Sequence, residues 1–165
     1  MVDPAALHIY PIDLRVPSRA VQVHALHMRA YRQEADLLGG ASLPPLERSV
    51  AELAQSPDSY FAAMDGAALL GVISIALAHR AKKMWINSLT VEPSCQRRGV
   101  GRQLLAFALA YMPQCCDFTT ACVATGAQNR PAIALYEAYG FTAYAYETVG
   151  LEAIAIVKLQ KIIGI

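Results

Sequence analysis

The sequence predicts an α/β protein whose sheet has about seven strands of mixed but mostly antiparallel direction, with helices on both faces. Short runs rich in branched and aromatic residues alternate with stretches in which apolar residues recur at helical spacing. Some neighbouring runs are joined by a turn signal, as at Asp65-Gly66, whereas others are separated by a helical stretch. Because hairpins join antiparallel strands and helical crossovers join parallel ones, we expect both directions in one sheet.

A single domain over residues 1–165 is expected because the composition is uniform from end to end. Hydrophobic residues make up 55% of the chain and charged residues 16%, which excludes a disordered chain. The net charge of +1 lacks the basic excess that nucleic-acid-binding proteins show. No uncharged apolar stretch is long enough for a transmembrane helix. The composition therefore favours a globular protein with neither nucleic-acid nor membrane partners.

The N-terminal part is predicted to contain one strand and two helices. The strand-like segment Leu7 to Arg15 is interrupted by Pro11, which is typical of an edge strand. A long helix is predicted to start at Pro17-Ser18 and to close at Gly39-Gly40. The apolar residues of Leu46 to Gln55 fall on one helical face, which predicts a second, shorter helix.

Three strands are predicted in the central part, because β-branched and aromatic residues dominate three short runs. The turn signals Asp65-Gly66 and Arg80 to Lys83 separate these runs. The predicted strands are Ser59 to Met64, Leu69 to His79 and Met84 to Val91.

The C-terminal part alternates helix and strand before a final hairpin. A helix that starts at Gly101 is predicted to end at Tyr111, because Pro113 follows. A second helix is predicted over Asn129 to Tyr139, with Asn129 as its cap and a glycine beyond its end. The predicted strands are Phe118 to Thr125, Phe141 to Val149 and Glu152 to Leu159.

A glycine-bearing loop between the third central strand and the next helix has the features of an anion site. Its sequence is Gln96-Arg97-Arg98-Gly99-Val100-Gly101, and Arg102 follows in the helix. Backbone amides at a helix N-terminus favour a phosphate, and glycines let it approach the backbone. The loop has neither the lysine of a Walker A loop nor the third glycine of a Rossmann turn. We interpret it as a pyrophosphate site, with an ordinary strand-to-helix loop as the alternative.

This loop resembles the [QR]-x-x-G-x-[GA] motif of the GNAT superfamily of acyl-CoA-dependent N-acetyltransferases. A second segment, Asn129 to Phe141, matches that family's N-x-x-A-x-x-L-Y-x-x-x-G-F pattern in the expected order. The resemblance implies a GNAT-like fold with a V-shaped splay between the strands Met84 to Val91 and Phe118 to Thr125. It also implies that acetyl-CoA is the co-substrate and that a primary amine attacks it directly, within a ternary complex.

The resemblance implies a role for each part of these motifs. The loop amides would hold the pyrophosphate of coenzyme A, and Asn129 would bond its pantetheine arm. The Tyr136 hydroxyl would donate a proton to the leaving thiolate, which the ordinary pKa values of a phenol and a thiol permit. The Leu89 amide would face the thioester carbonyl as an oxyanion donor. The cofactor-binding residues implied in this way are Leu89, Thr90, Val91, Gln96, Arg97, Arg98, Gly99, Val100, Gly101, Arg102, Asn129 and Tyr136.

The general base is not evident, because the strand before the loop has no carboxylate where many relatives carry one. Glu34 on the first helix is our first candidate, and Asn87 is the alternative, as a residue that orders a proton-relaying water. Glu92 follows the strand and is expected to face solvent. For a positively charged acceptor, Glu34, Asp36 and Glu147 are candidate contacts. The histidines and cysteines lack the spacing of a ligand set, so no metal is predicted.

Two alternatives to acetyl transfer remain open: a longer acyl donor on the same scaffold, and a non-catalytic module that senses acyl-CoA. Tyr136 favours an enzyme, whereas the absent strand carboxylate favours a sensor. The sequence identifies no acceptor amine, and it leaves a homodimer open. Cysteines without metal-type or CxxC spacing predict reduced thiols and hence a cytoplasmic protein. These cysteines are Cys95, Cys115, Cys116 and Cys122.

Overall fold

The computed structural model describes residues 7–40, 42–115 and 117–163 and, for Met112 and Cys115, the backbone alone. The strands are β1 (Leu7–Pro11), β2 (Ser59–Asp65), β3 (Ala68–Ala78), β4 (Lys83–Val91), β5 (Thr120–Gly126), β6 (Thr142–Val149) and β7 (Ile154–Ile162). The helices are α1 (Pro17–Leu37), α2 (Val50–Ala54), α3 (Val100–Cys115) and α4 (Arg130–Ala138).

The seven strands form one sheet in the order β1-β2-β3-β4-β5-β7-β6. β4 and β5 are the one parallel pair among these described strands, and every other pair is antiparallel. The parallel pair is joined through α3, as a crossover requires. The predicted mixed and mostly antiparallel sheet is thus confirmed.

A hydrophobic core lies on each face of the sheet. On one face, Val23 and Leu26 of α1 pack with Val72 of β3. On the other face, Leu104 of α3 packs with Ile73 of β3, and α4 contributes to the same cluster. The contact between α3 and β3 is close because residue 71 is glycine: a Cβ there would lie 2.9 Å from Cδ1 of Leu104. Helices therefore cover both faces, as predicted.

The sheet opens between β4 and β5. These two strands pair only from Lys83–Ile86 to Thr120–Val123. Beyond Ile86, β4 continues against β3, while β5 continues against β7 as far as Gly126. The V-shaped splay that the resemblance implied is therefore present.

The predicted helix Leu46 to Gln55 is wrong as one element. Pro44–Glu47 forms a separate 3₁₀ turn, and α2 starts only at Val50. The break lies at Ser49, whose hydroxyl accepts a hydrogen bond from the Glu52 amide at 3.1 Å, while the Glu52 side chain accepts one from the Ser49 amide. This capping box starts a new helix within the predicted one.

The predicted end of α3 at Tyr111 is also wrong, because the helix continues through Pro113 to Cys115. A proline inside a helix removes one backbone donor and usually breaks the helix. Here it falls in the last turn, so few helical hydrogen bonds follow it. The Gln114 side chain donates to the Ala110 carbonyl oxygen at 3.2 Å and satisfies one acceptor of that turn.

None of the helices in the described part of the chain is both long and apolar enough to cross a membrane. Cys95 and Cys122 are buried free thiols. Cys116 and the side chain of Cys115 lie outside the described residues.

Candidate active site

The backbone of β4 presents alternate residues to the splay. The Glu92 amide, directly after β4, donates to the carbonyl oxygen of Leu70 on β3 at 2.8 Å. These two residues are therefore a hydrogen-bonded pair of the antiparallel ladder. In an antiparallel ladder such pairs alternate along the strand, so the backbone of Thr90 also faces β3. The amides and carbonyls of Leu89 and Val91 consequently face the splay. Leu89, Thr90 and Val91 were expected to bind the cofactor. The backbone of Thr90 pairs with β3, so only the backbones of Leu89 and Val91 can pair with a ligand in the splay.

The loop before α3 has the geometry of an anion site. Its φ is positive at Arg97 (62°) and at Gly99 (83°) but not at the residue between them. Such alternation turns successive backbone amides to one side. α3 starts at Val100, and the first amides of a helix have no acceptor within it. Among the described residues, the guanidinium groups of the three loop arginines form no ion pair. These arginines are Arg97, Arg98 and Arg102, and all three are exposed.

Two side-chain contacts fasten this loop and the end of β4 to α1. The Gln96 amide donates to Oε1 of Gln33 at 2.6 Å. The Arg29 guanidinium donates to both carboxylate oxygens of Glu92, at 2.6 to 3.0 Å. The expectation that Glu92 faces solvent is therefore wrong, since its side chain is only 19% exposed. The ion pair forms because α1 crosses the sheet beside the end of β4, which no local pattern reveals.

Tyr136 lies on the buried face of α4, with 5% of its surface exposed. Its ring packs edge-on against Phe141 at 5.6 Å between centroids. Burial and, to a smaller extent, the nearby charge of Glu34 raise the pKa of the Tyr136 phenol. The hydroxyl therefore holds its proton at neutral pH, as a proton donor must.

Glu34 lies near the end of α1, beside Tyr136 and the start of α4. Burial raises the pKa of the Glu34 carboxyl, and hydrogen bonding from the Asn129 side chain and the Gly126 amide opposes that shift. Asn129 also caps α4, because its Oδ1 accepts from the Ala132 amide at 3.3 Å. Both polar ends of the Asn129 side chain are thus engaged within the chain. A pantetheine arm that bonds Asn129 must compete with these contacts.

A β-bulge at Asn87 redirects the side chains of β4. Ser88 is opposite Ser74, but Ile86 is opposite Ile75, so Asn87 has no partner on β3. One extra residue reverses which face each later side chain occupies. Ser88 therefore faces α1, where its hydroxyl lies 2.6 Å from that of Ser74. Without the bulge, Ser88 would point into the apolar core beneath α3.

A cavity of about 540 Å³ lies on this α1 face of the sheet, next to the bulge. Asn87 is an exposed residue of its lining, and the Asn87 Nδ2 donates to Oδ2 of Asp58 at 3.0 Å. Asn87 and Ser88 line the cavity, while the backbone of Leu89 faces the splay, so the two spaces meet along β4. The lining residues are His24, His27, Met28, Tyr31, Pro44, Pro45, Glu47, Arg48, Glu52, Leu53, Asp58, Ser74, Asn87 and Ser88.

The carboxylates of the cavity differ from those expected for a cationic acceptor. Glu34, Asp36 and Glu147 do not line it. Glu147 instead accepts from Lys158 at 2.8 Å, on the β6–β7 hairpin. The carboxylates that do line it are Glu47, Glu52 and Asp58, which the sequence reasoning missed because no motif marks them.

His27 is a buried polar residue in the cavity wall without a partner for one ring nitrogen. It is 5% exposed, and its Nε2 has no hydrogen-bond partner among the described residues. Burial, then the charges of Arg48 and His24, lower the pKa of His27 to about 4. The ring is therefore neutral at pH 7. His24 differs, because its Nε2 donates to the Arg48 carbonyl oxygen at 2.7 Å.

The structure brings most of the predicted site residues to one region. The Leu89–Val91 segment borders the splay and leads into the loop, Asn129 follows the end of β5, and Glu34 lies beside both Asn129 and Tyr136. Asn87 lies in the cavity on the neighbouring stretch of β4. In the described ranges, no three His, Cys, Asp or Glu residues are grouped so that they could hold a metal ion.

Residues 21–141 match the model of the acetyltransferase (GNAT) family. The chain is 30% identical over 122 residues to the UPF0157 protein YqkA of Bacillus subtilis (strain 168). That match covers 74% of this chain but 34% of the relative, so the chain spans about a third of the relative's length.

Solved structures of N-acetyltransferases share the fold over nearly the whole chain. The ribosomal-protein-S18-alanine N-acetyltransferase of Escherichia coli superposes with a TM-score of 0.75 at 17% identity, covering 96% of this chain and 95% of its own. The spermidine N-acetyltransferase of Vibrio cholerae, in complex with CoA and spermine, gives 0.75 at 15% identity and covers 96% of each chain. The PaiA N-acetyltransferase of Thermoplasma acidophilum, in complex with coenzyme A, gives 0.73 at 16% identity, with 92% and 97% covered.

Proposed function

Because the chain belongs to the acetyltransferase (GNAT) family, we propose that it transfers an acetyl group from acetyl-CoA to a primary amine. The observation that carries this proposal is the splay between β4 and β5. An amide-lined loop stands at one side of it, and the cavity of about 540 Å³ stands along the same strand. Donor and acceptor would meet at β4, in a ternary complex.

The donor is held mainly by backbone groups. The loop amides and the N-terminus of α3 bind the pyrophosphate, with Arg97, Arg98 and Arg102 supplying positive charge. Pantetheine amides pair with the backbone of Leu89 and Val91, which faces the splay, in the manner of an added strand. This mode of binding uses a strand edge that the opened sheet leaves unpaired.

The chemistry proceeds by direct attack of the amine on the thioester. The amine nitrogen forms a bond to the carbonyl carbon, and the Leu89 amide donates to the carbonyl oxygen as negative charge develops there. The carbon–sulfur bond then breaks, and Tyr136 donates its hydroxyl proton to the departing sulfur. The buried Tyr136 phenol carries its proton at neutral pH, so it has a proton to give once negative charge develops on the sulfur.

The proton that the amine loses has two candidate destinations. Glu34 is a carboxylate with a raised pKa, which suits a general base, and it lies beside Tyr136. The alternative is a water ordered by Asn87, whose side chain is hydrogen-bonded to Asp58, and this water would pass the proton to bulk solvent. Either route also restores the Tyr136 proton by transfer through solvent after the thiol leaves.

The proposal is tested by mixing the purified protein with acetyl-CoA and a library of primary amines. Thiol release, followed by a chromophoric reagent, and acetylated amine, identified by mass spectrometry, are expected together. Tight coenzyme A binding without turnover of any amine would favour the sensor. Turnover with succinyl-CoA or longer acyl-CoA but not with acetyl-CoA would assign a different donor. Absence of coenzyme A binding would contradict the proposal altogether.

A further inference from the structure

The cavity next to the β4 bulge contains a cationic side chain that has no counter-ion among the described residues. Arg48 is half-buried and lines the cavity. Its side chain forms no hydrogen bond or ion pair with any described residue. Its charge adds to the effect of burial in lowering the pKa of His27, and it partly opposes the burial that raises the pKa of Tyr31, so Arg48 lies near both of these lining residues. A half-buried guanidinium is a strong binder of carboxylates, because its planar fork matches both oxygens.

The carboxylates of the cavity do not neutralise Arg48. Asp58 accepts from the Asn87 amide, and Glu52 accepts from the Ser49 amide in the cap of α2. Glu47 also lines the cavity but is exposed and forms no ion pair with Arg48. The guanidinium therefore remains available to an anionic group that enters from outside.

The backbone holds Arg48 firmly in this position. The His24 ring donates to the Arg48 carbonyl oxygen at 2.7 Å, and the Arg48 amide donates to the Pro45 carbonyl oxygen at 3.4 Å. Both bonds use main-chain atoms, so the side chain takes no part in them. A change confined to the Arg48 side chain leaves these contacts intact.

The β4 side of the cavity suits an amine. Asn87 and Ser88 lie on the stretch of β4 that leads into the splay, and Asp58 adds a carboxylate beside Asn87. His27 supplies one more polar group, because its buried Nε2 has no partner among the described residues and its ring is neutral at pH 7. Negative charge near β4 and positive charge at Arg48 match a molecule with both charges.

We propose that the acceptor is an amino acid, whose carboxylate pairs with Arg48 and whose primary amine faces Asn87 and Ser88. The inference rests on the proposed function, because it names the substrate class of that site. A simple polyamine could meet the carboxylates of the cavity, but it has no group to pair with the Arg48 guanidinium, which an acceptor with a carboxylate would satisfy. The carboxylate would accept two hydrogen bonds from the fork of Arg48.

The test compares each amino acid with the amine that lacks only its carboxylate. The pairs are alanine with ethylamine, leucine with 3-methylbutylamine, phenylalanine with phenethylamine, and lysine with 1,5-diaminopentane. Affinity is measured by calorimetry on protein saturated with coenzyme A, where no acetyl transfer occurs. We expect at least one amino acid to bind tenfold or more tightly than its partner. Equal or tighter binding of the amine in every pair overturns the inference.

Variants then assign the preference to one side chain. Arg48→Gln should abolish the difference in affinity between an amino acid and its matching amine. Arg48→Lys should keep part of that difference, since a lysine retains the charge without the planar fork. Arg80→Gln, an exposed arginine in the turn before β4, should keep the full ratio. A full ratio in folded Arg48→Gln overturns the inference. Thiol release from acetyl-CoA is measured in a separate experiment. If no amine reacts, the proposed function is contradicted, while the ratio of binding affinities still tests the inference about Arg48.

Discussion

The two halves of the candidate site are built from different parts of the chain. The donor half consists of the loop over residues 96–102, the splayed edge of β4 and Tyr136, and its contacts are mainly backbone groups. The acceptor half consists of side chains from α1, residues 44–58 and the bulge at Asn87. If coenzyme A is the donor, backbone amides and glycines suit an unchanging ligand, whereas the acceptor half can be altered one side chain at a time without changing the sheet.

The comparison predicts that changes in each half affect different measurements. Variants of the donor half should change coenzyme A affinity or the chemical step. Variants of the cavity should change which acceptor binds.

Removing the Tyr136 hydroxyl should have the largest effect. Tyr136→Phe keeps the ring that packs against Phe141 and removes only the proton donor. We expect kcat to fall by roughly 10²- to 10⁴-fold, with acetyl-CoA affinity little changed. The matched control is Tyr146→Phe, because Tyr146 is 74% exposed on β6. A kcat within about twofold of the parent, measured where chemistry limits the rate, would remove Tyr136 as the acid.

The two candidates for the base differ in their pH profiles. With Glu34 as base, Glu34→Gln should lower kcat at pH 7 by about a hundredfold, and activity should recover at high pH where the amine is already neutral. Asp36→Asn is the control, since Asp36 is an exposed acid on the same helix.

With a water relay, the loss should appear in Asn87→Ala while Glu34→Gln follows the parent curve. Parent-like profiles of both variants would show that neither residue handles the proton.

Stability should fall as the pH falls, because His27 is buried in its neutral form. Its pKa is about 4 in the folded protein and near 6.5 when unfolded, so unfolding takes up a proton between these values. Stability from this source is complete above about pH 6.5 and decreases toward pH 4. From pH 7 to pH 5, the decrease should be about 2 kcal/mol.

Urea unfolding at both pH values measures this decrease. His27→Leu should reduce it, whereas the exposed-site control His8→Leu should keep it. A decrease in His27→Leu equal to that of the parent would show that another group titrates.

The smallest effect concerns the loop proposed to bind the pyrophosphate. A Cβ at Gly101 would lie 3.6 Å from side-chain atoms of Leu135 and Val91, which is ordinary contact. The Cβ of a larger residue therefore fits when no ligand is bound. Gly101→Val should act by blocking the approach of the phosphate to the backbone. Coenzyme A affinity should fall about tenfold or more, which is 1.4 kcal/mol.

Calorimetry measures this change, and Ala106→Val places the same side chain at an exposed position of α3 as the control. Unchanged affinity in a folded Gly101→Val protein would rule out the loop as the pyrophosphate site.

Local patterns in the sequence identified the fold class and the family, and they marked the residues of the candidate donor half. Strand and helix periods, turn residues and glycines act locally, so the seven strands and the two motifs could be read in order along the chain. The family that these motifs indicated is confirmed by the match over residues 21–141. Errors occurred where one local signal overrode another, as at the Ser49 capping box and at Pro113.

Only the tertiary structure decided the acceptor half. The bulge at Asn87 turns Ser88 away from the core beneath α3. The order of polar and apolar residues in β4 does not reveal this register shift of one residue. Arg48 and Asp58 line the same cavity from either side of α2. Arg29 forms its ion pair with Glu92, which is 63 residues away in the chain. These contacts depend on how α1 crosses the sheet, and the crossing depends on the packing of all side chains between α1 and that face of the sheet. Periodicity describes each element by itself, so it carries no information about which distant side chains share a cavity.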